Sequence, residues 1–340
     1  MHADLITGAT GFIGRHLSER MLREGRKVKL FCRPESEHKL PPISKESAEI
    51  VIGDLLNRDS IDKAVHGVER VFHCAGHVLD WGTEETFHST NVQGTKWLLE
   101  AAVEKKINRF IHLSSIAVFG VPLPAYFDDK TPYNPGKDFY SQSKIESETL
   151  VFKYHRDHGL PVVVLRPSVV YGPGSAWVEE PLRLIRQNRM FLIAGGKGTC
   201  HPCYIDNLID AILLASEHPN AVGQGFIVGD NKPISFDEFF NYLAKIIGSK
   251  PIKKSIPLTL ARIMASLFES THKRLKLGTR PFLTHTAINM LTTQSNLCMN
   301  KIRHELNFEP EISVEEGMDQ IKRWIENPCA STPGEMQGGD

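Results

Sequence analysis

Short apolar runs separated by amphipathic stretches set the frame of the chain. Ala3 to Ile6 reads as a buried strand, Val28 to Cys32 as a second, and Glu49 to Gly53 as a third. Val71 to Gly76 predicts a fourth that runs into a small-residue turn, and Phe110 to Ser115 a fifth that ends in paired serines. Pro161 to Arg166 is a further buried strand, its Val162-Val163-Val164 strongly β-prone, and Phe226 to Val228 a short one. Helical patterns lie between them. The first runs from Ile13 to Glu24, with Gly25 as terminator. Asn91 opens another that continues through Leu98, Leu99, Ala102 and Val103, and Val178 to Gln187 forms a third. Tyr204 to Asn207 caps a helix through Ala215, and Ser235 and Glu238 form a capping box for a helix to Ile247. Ser313 and Glu316 form a second box, with Trp324 anchoring the last helix. Pro41-Pro42 disfavours a full helix between the second and third strands. His77 to Thr90, which holds Trp81-Gly82, has no period and reads as a loop at the mouth of a site. Strands alternating with helices predict an α/β protein.

The first fourteen residues change that picture most. A strand, then Gly8-x-x-Gly11-x-x-Gly14, then a helix, is the arrangement that leaves unpaired backbone N–H groups and a positive dipole end for a diphosphate. Gly8 would make the turn, Gly11 would admit the phosphates, and Gly14 would let the helix pack on the strand. The spacing is one residue longer at the front than the usual dinucleotide fingerprint. The fold expected is a Rossmann-type doubly wound parallel sheet with a smaller C-terminal α/β substrate domain closing over the crevice. Residues 1–170 would form the dinucleotide-binding domain, with later returns to it from about 201–230. Residues 171–326 would mainly bind substrate, and 327–340 would be a disordered tail.

Composition narrows the function classes. The 340 residues carry 40 basic and 40 acidic side chains, so the overall balance points to neither nucleic acid nor an anionic membrane. The six cysteines are scattered, several in strand-like segments, which suits buried thiols in a reducing cytoplasm. The first strand starts almost at Met1, and no apolar run reaches the roughly eighteen residues of a membrane span; a cytoplasmic protein is expected.

Several side chains carry candidate chemistry. At the end of the second strand stand Cys32 and Arg33, with no acidic residue before Glu35. A carboxylate there would repel a ribose 2′-phosphate and a guanidinium would pair with it, so NADP(H) is favoured over NAD(H). Asp54, just past the third strand, is placed either to bond the adenine or to cap a helix. Cys74-Ala75-Gly76 would let the cofactor backbone pass. Tyr140 and Lys144 share a helical face, and a neighbouring ammonium pulls a phenol below its usual pKa of about 10, toward general acid/base duty. Cys200-His201-Pro202-Cys203 has metal-ligand spacing but no second pair, so no metal is expected. Arg183, Arg186 and Arg189 read as a solvated face rather than a phosphate site.

Taken together and in order, the glycine turn, Asp54-Leu55, Asn91, Ser114-Ser115-x-x-Val118-Phe119-Gly120, Tyr140-x-x-x-Lys144 and Arg166-Pro167-Ser168-Val169-Val170-Tyr171-Gly172-Pro173-Gly174 resemble the extended short-chain dehydrogenase/reductase superfamily. The resemblance covers Asp4 to about Glu326. It implies Ser115 as the catalytic serine, Tyr140 as general acid/base, and Lys144 as the residue that bonds the nicotinamide ribose and tunes Tyr140. It extends the cofactor set to Gly8, Thr10, Gly11, Phe12, Ile13, Gly14, Arg33, Asp54, Leu55, Cys74, Ala75, Gly76, Asn91, Pro167, Ser168, Val169 and Val170. Val78, Trp81, Ser115, Ala117 and Tyr171 would meet the substrate. The Trp81-Gly82 loop and the C-terminal segment look most like the 3β-hydroxysteroid dehydrogenase and 2-alkyl-3-ketoacid reductase branches, which act on large apolar alcohols and ketones. Ile116-Ala117 replace the Asp-Glu pair of the sugar-nucleotide dehydratases, which argues against dehydration but leaves nucleotide-sugar epimerisation as the alternative. A redox-sensing regulator would lack the Tyr140–Lys144 pair.

The partners expected are a small-molecule substrate and a second copy in a homodimer, without nucleic acid. Leu258 to Leu277 holds Leu260, Ile263, Met264, Leu267 and Phe268 at helical spacing, then His272, Lys273, Arg274 and Lys276. A lid over the substrate, core packing and a peripheral membrane contact all fit, with lid or packing favoured.

Overall fold

The computed structural model describes residues 3–78, 80–275 and 277–327. The tail expected at 327–340 lies, beyond Asn327, outside the described residues, as does Lys276. Seven strands form one parallel sheet: β1 (Ala3–Thr7), β2 (Val28–Cys32), β3 (Glu49–Ile52), β4 (Val68–His73), β5 (Arg109–Leu113), β6 (Val162–Pro167) and β7 (Gln224–Val228). Their order in space is β3-β2-β1-β4-β5-β6-β7. The winding reverses between β1 and β4, so the ligand crevice of this fold opens at the carboxyl ends of those two strands.

The described helices of eight or more residues are α1 (Phe12–Arg23), α2 (Arg58–Val65), α3 (Thr95–Glu104), α4 (Phe139–His158), α5 (Ala176–Arg186), α6 (Ile205–Glu217), α7 (Phe236–Ile246), α8 (Leu258–Arg274), α9 (His285–Thr292) and α10 (Val314–Glu326). Strand alternation sorts the core into two layers. Leu5 and Phe110 pack with Ile61, Leu98 and Val151 from α2, α3 and α4. Ile6 and Ile111 belong to the opposite layer with Leu17, Met21, Leu208 and Ile212 from α1 and α6. Apolar side chains therefore cover both faces of the inner strands, which is why these read as apolar runs; the edge strand β3 is only half-buried. Both expected capping boxes form, at Ser235 with Glu238 and at Ser313 with Glu316.

Two expectations are corrected. The helix read as opening at Asn91 starts earlier. Thr83 caps the turn Glu84–Phe87, and a π-helical stretch, His88–Gly94, joins it to α3. The π winding removes the 3.6-residue period, so this part looked like loop. On α8 the buried positions are Ala261 and Ala265, packed with Ile193, Leu283 and Ile288 and helped by Met264 and Phe268. Leu260, Ile263 and Leu267 are exposed, so core packing does not account for them.

Candidate active site

β1 ends at Thr7 and the chain turns at once through Gly8, at φ 69°. A Cβ on Gly8 would stand 2.7 Å from the Ala75 backbone, so only glycine lets the turn pass the end of β4. A side chain on Gly14 would overlap the Gly8 carbonyl oxygen, so α1 packs on the turn backbone to backbone. Gly11 is the N-cap of α1 and donates its N–H to Gly8 O at 2.9 Å. It supplies no side-chain cap, and the first turn of α1 holds no acidic residue. The amides around Thr10, Phe12 and Ile13 are thus left without a counter-charge of their own, and a diphosphate fits there.

Across the switch point, the small residues after β4 come next to the helix that carries the tyrosine. A Cβ on Gly76 would lie 3.3 Å from Asn91 Oδ1 and 3.4 Å from Lys144 Nζ, so these three predicted residues converge. Asn91 sits in the π-helical stretch and is nearly saturated. Its Oδ1 accepts from His77 N at 2.6 Å, and its Nδ2 donates to His77 O at 3.0 Å and to Ser143 Oγ at 2.9 Å. Ser143 Oγ in turn donates to Tyr140 O at 2.8 Å, which fixes the first turn of α4. Asp138 caps that turn, its Oδ1 accepting from Ser141 N at 2.7 Å.

Ser115 follows β5 and caps a short 3₁₀ turn, its Oγ accepting from Ala117 N at 3.2 Å. Tyr140 and Lys144 lie one turn apart on α4. Lys144 donates to Leu113 O at 2.8 Å. The expected lowering of the Tyr140 pKa is not seen. Burial pushes the phenol up to about 12, and the neighbouring Ser115 hydroxyl offsets part of that rise. The Lys144 ammonium is itself desolvated, which lowers it to about 8 against the raising effect of Glu148. Desolvation outweighs the i,i+4 attraction.

The remaining predicted residues divide by place. Asp54 does not cap α2; Asn57 does, and Asp54 Oδ1 accepts from Leu56 N at 2.8 Å. Leu55 is buried against Gly94. Cys74 is partly buried, its thiol pushed up to about 12 by burial. Arg33 is exposed past β2 and pairs with Glu35 at 3.2 Å. Pro167 closes β6, Ser168 N donates to Val228 O at 2.9 Å, and Val169–Tyr171 pairs with Pro202–Tyr204. Val170 is partly exposed and Val169 and Ala117 are buried. Val78 is exposed and Trp81 is partly so. Tyr171 is corrected from substrate residue to core: it is fully buried, with its ring 5.4 Å from Tyr204 and 5.6 Å from Phe239. Cys200 and Cys203 are buried thiols raised by burial, and no group of three metal-ligating side chains occurs among the described residues.

Three polar clusters were missed. His73 bridges Thr7 Oγ1 and Thr95 Oγ1, both at 2.8 Å, and burial holds it near a pKa of about 3. Arg166 of β6 and Glu148 of α4 form a buried ion pair. Asp80 accepts from Arg280 Nη2 at 2.8 Å and Thr284 Oγ1 at 2.5 Å, which ties the mouth loop to the segment after α8. Only Glu148 left a signal, as the next i+4 step after Tyr140 and Lys144.

A doubly wound sheet with a glycine turn at its switch point and Ser115, Tyr140 and Lys144 beside it has the architecture of an extended short-chain dehydrogenase/reductase. The chain belongs to the NAD dependent epimerase/dehydratase family, which matches residues 5–229. It is 27% identical over 321 residues to a 4-hydroxy-2-methyl-3-oxo-4-farnesyl-3,4-dihydroquinoline-1-oxide ketoreductase of Stigmatella aurantiaca, covering 94% of this chain and 95% of that protein. It is 29% identical over 329 residues to a 2-alkyl-3-oxoalkanoate reductase of Stenotrophomonas maltophilia, covering 94% and 98%. In fold it is similar to the dTDP-glucose 4,6-dehydratase DesIV of Streptomyces venezuelae, solved with NAD and TYD, with a TM-score of 0.79, 21% identity and coverage of 96% and 98%. Among the described residues no helix is long and apolar enough to cross a membrane.

Proposed function

We propose that the protein is an NAD(P)-dependent oxidoreductase that interconverts a secondary alcohol and a ketone on a largely apolar substrate, with NADP(H) preferred. The observation that carries this reading is the placement of the Ser115 hydroxyl beside the Tyr140 phenol, with Lys144 one turn on, next to Gly76 at the crevice. The reductase relatives, matched along nearly their whole length, support the reaction and the substrate class.

The nicotinamide, when bound, supplies the hydride exchange. Ser115 Oγ donates to the substrate oxygen and polarises it. Tyr140 keeps its proton at neutral pH, because burial has raised it, and transfers that proton to the oxygen as the ketone is reduced. In the oxidative direction it takes the proton back. Lys144 is held charged below about pH 8 and would bond the ribose, and its charge favours the phenolate as it forms. Gly8, Gly11 and Gly14 would admit the diphosphate, and Asp54 would take the adenine. Arg33 would hold a 2′-phosphate in place of Glu35; their pair is exposed, so the exchange would cost little. Trp81 and Val78 supply apolar wall at the mouth.

The test is stoichiometric. A panel of steroid-like, long-chain 3-keto-acid and quinone-type ketones, followed by NADPH absorbance, should show one NADPH consumed per ketone reduced. Turnover of a nucleotide sugar without net NADPH consumption would overturn the reading in favour of an epimerase.

A further inference from the structure

Six of the twelve large apolar side chains exposed among the described residues fall between Leu260 and Phe282. Three of them, Leu260, Ile263 and Leu267, are 45%, 58% and 63% exposed and form one row along α8, on the face opposite the buried Ala261 and Ala265. Such contiguity on a soluble surface marks a contact. Cations frame the row at both ends: Lys253, Lys254 and Arg262 toward its start, Lys273 and Arg274 at its close. The one carboxylate on the helix, Glu269, is taken up by His285 N at 2.7 Å.

The cationic end of α8, rather than the row itself, lies against the mouth loop. Trp81 has its ring 6.2 Å from His272 and 5.8 Å from the Lys273 ammonium. Next to Trp81, Gly82 abuts the Phe87 ring, which is 6.3 Å from that of Tyr140.

We propose that α8 docks this face on an anionic lipid surface, with Leu260, Ile263 and Leu267 in the acyl boundary and the flanking cations on headgroups. Charge decides against a second copy of the chain. A two-fold contact through the row would set one copy's cationic ends against the other's, whereas an anionic bilayer complements both. Docking brings the Trp81 loop, held at the cationic end of α8, close to the phase in which apolar ketones dissolve, and that consequence alone rests on the proposed reaction.

Cosedimentation of the full chain with vesicles of equimolar phosphatidylcholine and phosphatidylserine tests the docking. Binding is expected, and the Leu260→Ser/Ile263→Ser/Leu267→Ser variant should bind about tenfold more weakly or less. The Lys273→Glu/Arg274→Glu variant removes no apolar surface and should lose the preference for these vesicles over pure phosphatidylcholine. Failure of the wild-type chain to cosediment overturns the proposal. So does undiminished binding by either variant, or a triple variant that turns a dimer into monomers while still binding vesicles. NADPH-dependent turnover of a water-soluble ketone without vesicles is read separately: its absence counts against the reaction and leaves the docking result standing.

Discussion

Removing the Glu148 carboxylate tests both the fold and the proposed chemistry. Glu148 is wholly buried on α4, four residues after Lys144. Its Oε1 accepts from Arg166 Nε at 2.9 Å, from Arg166 Nη2, and from Tyr133 Oη at 2.5 Å. The Arg166 side chain is only 6% exposed, and its other acidic neighbour, Asp129, is 3.4 Å away. Burial has pushed Asp129 up to about 6, so it is a weakened counter-ion near neutrality. Glu148→Ala therefore strands a buried guanidinium, which costs about 3–5 kcal/mol. At about 1.4 °C per kcal/mol for a chain of 340 residues, the melting temperature should fall by roughly 4–7 °C. Glu148→Leu/Arg166→Met removes both charges at similar volume and should lose less than the sum of the two single variants, with a coupling of about 1–3 kcal/mol.

The same carboxylate holds up the pKa of Lys144, against the burial that lowers it to about 8. Glu148→Gln keeps an acceptor for Arg166 but removes that support, so Lys144 should lose its proton at lower pH. In the proposed reaction the alkaline limb of kcat/KM moves acidward. The stability contribution of Lys144 has a fixed sign. Its folded pKa lies below the ordinary lysine value of 10.5, so the unfolded chain binds more protons between about 8 and 10.5, and stability rises with pH across that window. In Glu148→Gln the lower edge of the window moves below 8. Differential scanning fluorimetry and pH–rate profiles measure both effects. A melting temperature unchanged in Glu148→Ala, or a double variant whose loss equals the sum, would refute the buried-pair reasoning. An unmoved alkaline limb would sever Glu148 from Lys144.

Tyr140→Phe should lower kcat by about 10²–10⁴-fold while cofactor titration by fluorescence is unchanged; a loss of only a few fold would remove Tyr140 as the proton donor. Arg33→Asp should raise the KM for NADPH far more than that for NADH, and an equal effect on both would end the NADP assignment. Gly14→Ala forces α1 off the turn, so both melting temperature and cofactor binding should fall. Gly11→Ala meets only Gly8 O, at 3.3 Å, and should keep the fold while losing cofactor affinity; equal melting losses in the two would contradict the cradle.

What was legible in the sequence is what repeats locally. The inner strands read as apolar runs because both faces of the sheet are covered there, while the edge strand β3 is only half-buried. The glycine turn and the Tyr140–Lys144 step were visible because each needs only a few neighbouring residues to make its shape. The misreadings share one cause, which is that period assigns a residue to a face without naming what covers it. Tyr171 follows the predicted cofactor-lining segment, yet its ring goes into the core against Tyr204 and Phe239. On α8 the spacing grouped Leu260, Ile263, Met264, Leu267 and Phe268, yet Met264 and Phe268 pack toward the core with Ala261 and Ala265 while the other three are exposed. The Tyr140 acidity was misjudged for the same reason: Lys144 at i+4 is a sequence fact, whereas desolvation belongs to the folded environment. Asp80 and Arg280, joined in the fold, are too far apart in the chain for any pattern to pair them. Charge and exposure at the mouth therefore had to come from the folded chain. There they place the cationic end of α8 against Trp81, so a substitution at Lys273 perturbs the mouth loop without touching Ser115, Tyr140 or Lys144.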